Sequence, residues 1–246
     1  MARHKQWESA PQTEESVFVS MTDIMVGLLF LFILMLMFFV LKYSDATAEM
    51  EETNKELISS EDTRTKILTD LEKSLYDVGV SVQIDIENGI LRLPENILFE
   101  REQARLMAKG QEAVVALGTA LDKILPCYAF VEGQGRPVYC LETKHSIESV
   151  FVEGHTDSDG SDELNWQLSV QRSLNTYKTL VSGVPSLASL SNSRGQALLS
   201  VSGYGKHRPV FPNDSDEHKR QNRRIDLRFI MTSPKPDTLL RVESDG

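Results

Sequence analysis

The sequence predicts an α+β chain with a single N-terminal transmembrane helix, a helical linker and a distal α/β sandwich. Three observations predict it. Residues 17–41 are apolar apart from a few small polar groups and one charge, Asp23. Residues 42–75 carry 5 Lys/Arg against 9 Asp/Glu. From residue 80, period-2 alternation and helical periodicity take turns in the order ββ–α–β–α–β–α–β, the pattern of helices packed on a sheet.

Composition sets the outer limits. The chain has 246 residues, 41% apolar and 25% charged, with a net charge of −10. That balance excludes a wholly disordered chain and a polytopic membrane protein. It also argues against general nucleic-acid binding, because phosphate contacts need an excess of Lys and Arg. The divisions that follow are a cytoplasmic tail at 1–16, a transmembrane helix at 17–41, a periplasmic linker at 42–79, a folded domain at 80–231 and a flexible tail at 232–246.

A hydrocarbon core about 30 Å thick needs roughly 20 apolar residues in a helix. Residues 17–41 supply 25, and the uninterrupted stretch 24–41 supplies 18. A cleaved signal peptide has a shorter apolar region, about 7–15 residues. The run therefore reads as an uncleaved span. Arg3 and Lys5 precede it and Lys42 follows, which favours a cytoplasmic N-terminus.

Asp23 lies six residues inside the apolar run. A carboxylate in hydrocarbon is costly, which favours its neutral, protonated form. One reading makes Thr22 and Asp23 the cap of a helix starting at Ile24. The other makes Asp23 a proton carrier that faces a partner rather than lipid. Val17, Phe18 and Val19 continue the apolar face upstream, and both readings stay open on these residues. A lone span with one carboxylate makes no channel, so a partner protein is implied.

In the linker, residues 45–62 lack the apolar groups to bury a core. Ser59 or Ser60 reads as a helix start, Ile67, Leu68, Leu71 and Leu75 follow at helical spacing, and Gly79 is a stop. The expectation is an exposed or partner-dependent helical stalk. No sustained heptad supports a coiled coil.

The domain opens on VSVQIDI, a half-buried strand, then Asn88–Gly89 as a hairpin turn and ILRL as its return. Residues 101–125 form an amphipathic helix stopped by Pro126. A strand at 149–154, a helix at 165–181, a strand at 198–204, a short helix at 214–223 and a closing strand at 225–231 complete it. Cys127 and Cys140 enclose 12 residues. With no metal spacing around them, they read as a disulfide if the domain is periplasmic.

Chemistry concentrates in FVEGHTDSDGSDELNWQLSVQR, residues 151–172. Asp157 leaves a strand end, Gly160 allows a turn and Asn165 opens a helix carrying Leu168, Ser169 and Arg172. A carboxylate and a guanidinium on one rim suit a zwitterionic ligand. The alternative is that Asp157 and Arg172 simply pair with each other. His155, Asp157 and Asp159 invite a metal, but the glycine spacing fails the calcium loop, so no metal is expected. No phosphate-cradling loop and no serine elbow appear. The chain therefore reads as no enzyme, with no cofactor. Residues 206–228 hold 7 Lys/Arg against 4 Asp/Glu, a locally basic stretch within an acidic chain.

GHTDSDG, then N-x-x-LS-x-x-R from Asn165 to Arg172, then GYG with Pro and Asn, then NRRIDL from Asn222, resemble the OmpA-like peptidoglycan-binding domain across residues 80–231. That resemblance implies that Asp157 and Arg172 grip the diaminopimelate of a cell-wall stem peptide, with Asn165 and Arg223 in support. The Cys127–Cys140 insertion departs from shorter members. With the span included, the chain resembles the MotB-type subunit of proton-driven stator motors. Asp23 in SMTDIMVGLLFLF falls on the proton-carrying Asp of that family. GILRLPENILFE, with the acidic linker, looks closer to the B subunit of Zorya anti-phage defence systems than to a flagellar stator. The resemblance implies a dimer of this chain inside a multispan MotA- or ZorA-like partner, a pentamer, in the bacterial inner membrane.

Overall fold

The computed structural model describes residues 13–131 and 135–233. The expected C-terminal tail and most of the N-terminal tail lie outside the described residues. The described chain divides into two units, residues 13–55 and a second unit spanning Glu56–Lys235.

Helix α1 spans Thr13–Tyr76 without a break. The expected start at Ser59 or Ser60 is not observed. Lys, Glu and Leu are good helix formers, so a charged stretch without Gly or Pro propagates a helix that the apolar span already nucleates. In the first unit an 18-residue window reaches a mean hydropathy of 3.1, with none of it buried. Side chains from Ile24 to Leu41 are all largely exposed.

The expectation of an exposed stalk is corrected for the last five turns of α1. Ile67, Leu68, Leu71 and Leu75 are fully buried and belong to the core of the second unit. The compact unit thus begins near residue 56 rather than 80. Arg64 caps the neighbouring turn by donating to the Glu87 carbonyl at 3.1 Å. The four apolar positions fall on one face at i, i+1, i+4 and i+8, which is why the stripe exists in a linker that otherwise looks solvated.

The sheet has five strands: β1 (Gln83–Asp85), β2 (Ile90–Pro94), β4 (Ile147–His155), β6 (Leu199–Gly203) and β7 (Arg224–Met231). Their order is β1-β2-β7-β4-β6. The β1–β2 hairpin turns where Asn88–Gly89 predicts it, with Gly89 at φ +67° and Asn88 Nδ2 donating to Asp85. The last strand, β7, inserts antiparallel between β2 and β4. Strands β4 and β6 pair in parallel across helix α4 (Asp162–Gly183).

Ser161 caps α4 by accepting from the Leu164 N–H at 3.3 Å, so the helix starts three residues before Asn165. Ser215 caps α5 (Asp216–Asn222) in the same way. Helix α3 spans Ala108–Ile124, later than the expected 101. A four-residue helix α2 (Glu95–Leu98) precedes it, followed by a loop in which Glu102 takes φ +59°. A two-stranded ribbon pairs β3 (Phe130–Val131) with β5 (Leu190–Ser191), and short 3-10 turns lie at Leu125–Cys127 and Pro185–Ser189. Cys127 and Cys140 are bonded, with Cα atoms 5.3 Å apart.

Replacing Leu71 by Ala is expected to lower the stability of the second unit by about 2–5 kcal/mol, the usual cost of emptying a fully buried leucine site. Urea unfolding of the detergent-solubilised chain measures it. Met50→Ala, at a position 73% exposed, is the control and should leave the transition in place. Equal midpoints for both variants would show that α1 does not belong to the core.

Candidate functional site

Strand β4 and helix α4 place the site, and small residues allow them to meet. A Cβ on Gly154 would stand 2.0 Å from the Ser169 carbonyl oxygen, and one on Gly203 would stand 2.7 Å from the Val170 nitrogen. Only glycine lets the helix lie this close to β4 and β6. Ser169 then accepts from the Gly205 N–H at 3.0 Å, tying α4 to the loop after β6. On that helix Asn165, Leu168, Ser169 and Arg172 follow at i, i+3, i+4 and i+7, one face.

Asp157 sits just past the end of β4 and is 6% exposed. Its Oδ1 accepts from the Asp159 N–H at 2.9 Å, and Gly160 closes the turn at φ +81°. Asn165 donates to the Asp159 carbonyl at 2.8 Å. Asn165 therefore holds the loop that presents Asp157.

Asp157 and Arg172 line one cavity of about 460 Å³, together with Asn165, Arg223 and Glu95. The simple pairing of Asp157 with Arg172 is corrected: each takes another partner. Arg223 Nη1 donates to Asp157 Oδ2 at 2.5 Å, and Arg223 Nε bonds Glu95 Oε2. Arg172 Nη2 forms an ion pair with Glu95 Oε1. The four groups alternate in sign, Arg172–Glu95–Arg223–Asp157.

Arg172 is 1% exposed. Its Nε donates to the Gln103 carbonyl at 2.8 Å, and its guanidinium stacks over Phe99 at 5.1 Å. Its Nη1 is buried with no hydrogen-bond partner, as is the Thr156 hydroxyl, and both residues line the cavity. Burial lowers the pKa of Arg172, and Glu95 opposes that. For Arg223 burial acts the same way, but its bonds to Asp157 and Glu95 outweigh it and raise the pKa. At the more exposed rim, a hydrogen bond from Lys219 lowers the pKa of Asp159.

Sequence reasoning missed Glu95. The residue follows Pro94 in an unremarkable LPEN. Only the insertion of β7 beside β2 brings it to Arg223, whose carbonyl accepts from the Glu95 N–H at 3.1 Å.

His155, Asp157 and Asp159, the trio set aside as a metal site on spacing, do not form a donor cluster in the described residues. His155 instead lies 1% exposed beside Glu153 and Asp226, the one cluster of metal-type donors among the described residues. That donor set is already matched by arginines. Arg92 and Arg224 donate to Asp226 at 3.0 and 2.9 Å, and Arg228 donates to both oxygens of Glu153 at 2.9 and 3.0 Å. A cation there would face three guanidiniums, so the residues do not fit one.

With this geometry in view, residues 139–223 match the OmpA family. That stretch of the distal domain is similar to the OmpA family. Over the longer chain, ZorB, a Zorya protein of Escherichia coli O139:H28, is 23% identical over 218 residues, 89% of this chain and 81% of that protein. The peptidoglycan-associated lipoprotein of Pseudomonas aeruginosa is 34% identical over 91 residues, 37% of this chain and 49% of its own. Motility protein B of Bacillus subtilis is 29% identical over 86 residues, 33% of this chain and 30% of its own. The chain thus spans most of ZorB and no more than half of the other two. The chain resembles a MotB-type subunit whose OmpA-like domain follows a long apolar helix, and the likeness to ZorB runs through nearly all of it.

His155 in the OmpA-like domain provides a pH test. Burial and then the nearby arginines, led by Arg224, lower its pKa to about 2. The unfolded imidazole titrates near 6.5, so the unfolded state takes up the proton first. The stabilisation from neutral His155 is complete above about pH 6.5 and declines towards pH 2, by about 3 kcal/mol between pH 7 and 4. His155→Gln removes that titration. Its unfolding free energy should fall less steeply over this range than that of the parent chain, as denaturant curves at each pH will measure.

Proposed function

We propose that the chain is the wall-anchored subunit of a proton-driven motor in the bacterial inner membrane. The observation that carries the anchoring half is the cavity with its alternating charges, lined by Arg172, whose buried Nη1 has no hydrogen-bond partner. A buried N–H without an acceptor is costly, so the site is arranged for a ligand oxygen. A carboxylate on that nitrogen and an ammonium near Asp157 describe an amino-acid zwitterion. Diaminopimelate in a peptidoglycan stem peptide offers one at an exposed chain end. The OmpA-like motifs and the likeness to a peptidoglycan-associated lipoprotein support the same ligand. Asp157, Arg172, Asn165 and Arg223 are its binding residues.

The motor half rests on α1. Eighteen consecutive apolar residues stand unburied in the described chain, and Asp23 immediately precedes them. Such a surface needs lipid or protein around it. Asp23 would take a proton from the periplasm, become neutral and release it to the cytoplasm. The change of charge alters which contacts a surrounding ring can make, and that supports rotation. The ring is a multispan partner, by resemblance a pentamer, around two copies of this chain. The N-terminus is cytoplasmic. The bonded Cys127–Cys140 pair supports an oxidising periplasm for the domain. The likeness to ZorB over 89% of the chain favours anti-phage defence as the output, with flagellar rotation as the alternative output of the same machine.

Asp157→Ala is expected to weaken sacculus pull-down of the detergent-solubilised chain by about 2–5 kcal/mol, the cost of truncating one member of a buried charge pair. Retention equal to the parent chain would rule out this cavity as the wall site. Asp23→Asn keeps the side chain's size but cannot carry a proton. Cells with this substitution should lose phage resistance entirely while the protein still reaches the membrane. Full resistance would leave only an anchor, and a loss of swimming instead would move the motor to motility.

A further inference from the structure

Glu95 is central to the cavity. It is 5% exposed, and each of its two oxygens meets a different guanidinium, Oε1 that of Arg172 and Oε2 that of Arg223. Pro94 pairs with Arg224 across the sheet, and the Glu95 N–H donates to Arg223 at 3.1 Å, so the backbone fixes the carboxylate between the two arginines. Without it the buried group would be two cations and one anion. With it the four charges sum to zero. Glu95 also occupies one N–H edge of each guanidinium. Arg223 is left to turn a nitrogen to Asp157 at 2.5 Å, and Arg172 is left with Nη1 unpartnered.

We propose that Glu95 is the positioning residue that makes this cavity select a zwitterion over a plain anion. A pair of unopposed arginines favours the most negative ligand available, and a dicarboxylate then outcompetes an amino acid. A neutral, alternating set has no surplus attraction for an anion. It retains one free donor for a carboxylate and one carboxylate, Asp157, for an ammonium. In a low-dielectric cavity one added charge shifts that balance strongly. Glu95 achieves this through the arginines it holds, without itself needing to touch the ligand. The inference rests on the wall-binding reading and adds what sets its ligand class.

Calorimetry on the detergent-solubilised full chain tests it with two seven-carbon probes. meso-Diaminopimelate is a double zwitterion, and pimelate is the same dicarboxylate without the amino groups. The parent chain is expected to prefer diaminopimelate by about tenfold or more, and E95Q to lose that preference, with pimelate gaining and diaminopimelate weakening. E95D keeps the charge and should keep the preference at reduced affinity. Thermal melting of each variant separates selectivity from folding. If E95Q does not fold, E95D decides, since loss of the preference with the charge retained overturns the proposal. A folded E95Q with the parent's ratio also overturns it. A parent chain that prefers diaminopimelate while E95Q matches it overturns the role of Glu95 alone. A parent chain that binds neither probe overturns the wall-binding reading and this inference with it.

Discussion

The close approach of α4 to the sheet is the constraint on which the site depends. Gly154 and Gly203 leave no room for a side chain, and the Ser169 backbone occupies the space that a Cβ would need. Interiors pack at crystal-like density, so a helix cannot be raised by a methyl group without shifting everything it carries. Here it carries Asn165, which holds the Asp157 loop, and Arg172, which lines the cavity. The glycine in GHTD and the serine in LSxxR are therefore one contact seen from its two sides.

Charge inside this domain is arranged in alternating chains. One is Arg172–Glu95–Arg223–Asp157 at the cavity. The other is built on β2, β4 and β7, where Arg92 and Arg224 flank Asp226 and Arg228 grips Glu153. Buried ion pairs recover little more than their desolvation cost, and breaking one is far worse than never having it. Their consequence is geometric, because each guanidinium has a fixed fork and few ways to satisfy it. The two chains differ in one respect. The sheet network leaves its orphan atoms on His155, kept neutral beneath Tyr204. The cavity residues leave theirs on Arg172, Thr156 and Glu95, and that of Arg172 is a buried donor with no acceptor.

Helix α1 shows how one continuous element serves two environments. Between Ile24 and Leu41 its apolar side chains are exposed on every side among the described residues. Its last turns present Ile67, Leu68, Leu71 and Leu75 to the same core as the central strands. The backbone does not register the change, since helix propensity is local and both stretches favour it. What changes is the width of the apolar surface, all round at residues 24–41 and a single stripe at 67–75.

Much of this was legible in the sequence. The apolar run, its single carboxylate, the Asn88–Gly89 turn and the spacing of Asn165, Ser169 and Arg172 all follow from local rules of period, turn chemistry and composition. The residues meeting at the cavity were partly legible, because Asp157 and Arg172 lie within one strand–loop–helix segment. Two things needed the tertiary structure. The order β1-β2-β7-β4-β6 sets a strand from the chain's end beside one from the domain's start, and no local signal encodes that pairing. Glu95 enters the site only through it. The placement of residues 56–76 is the other, because an apolar stripe on a charged helix states that it needs a partner without stating which. Local physics determined the elements and the chemistry they carry. Long-range packing decided which charges would neutralise one another, and so which ligand the cavity is shaped to receive.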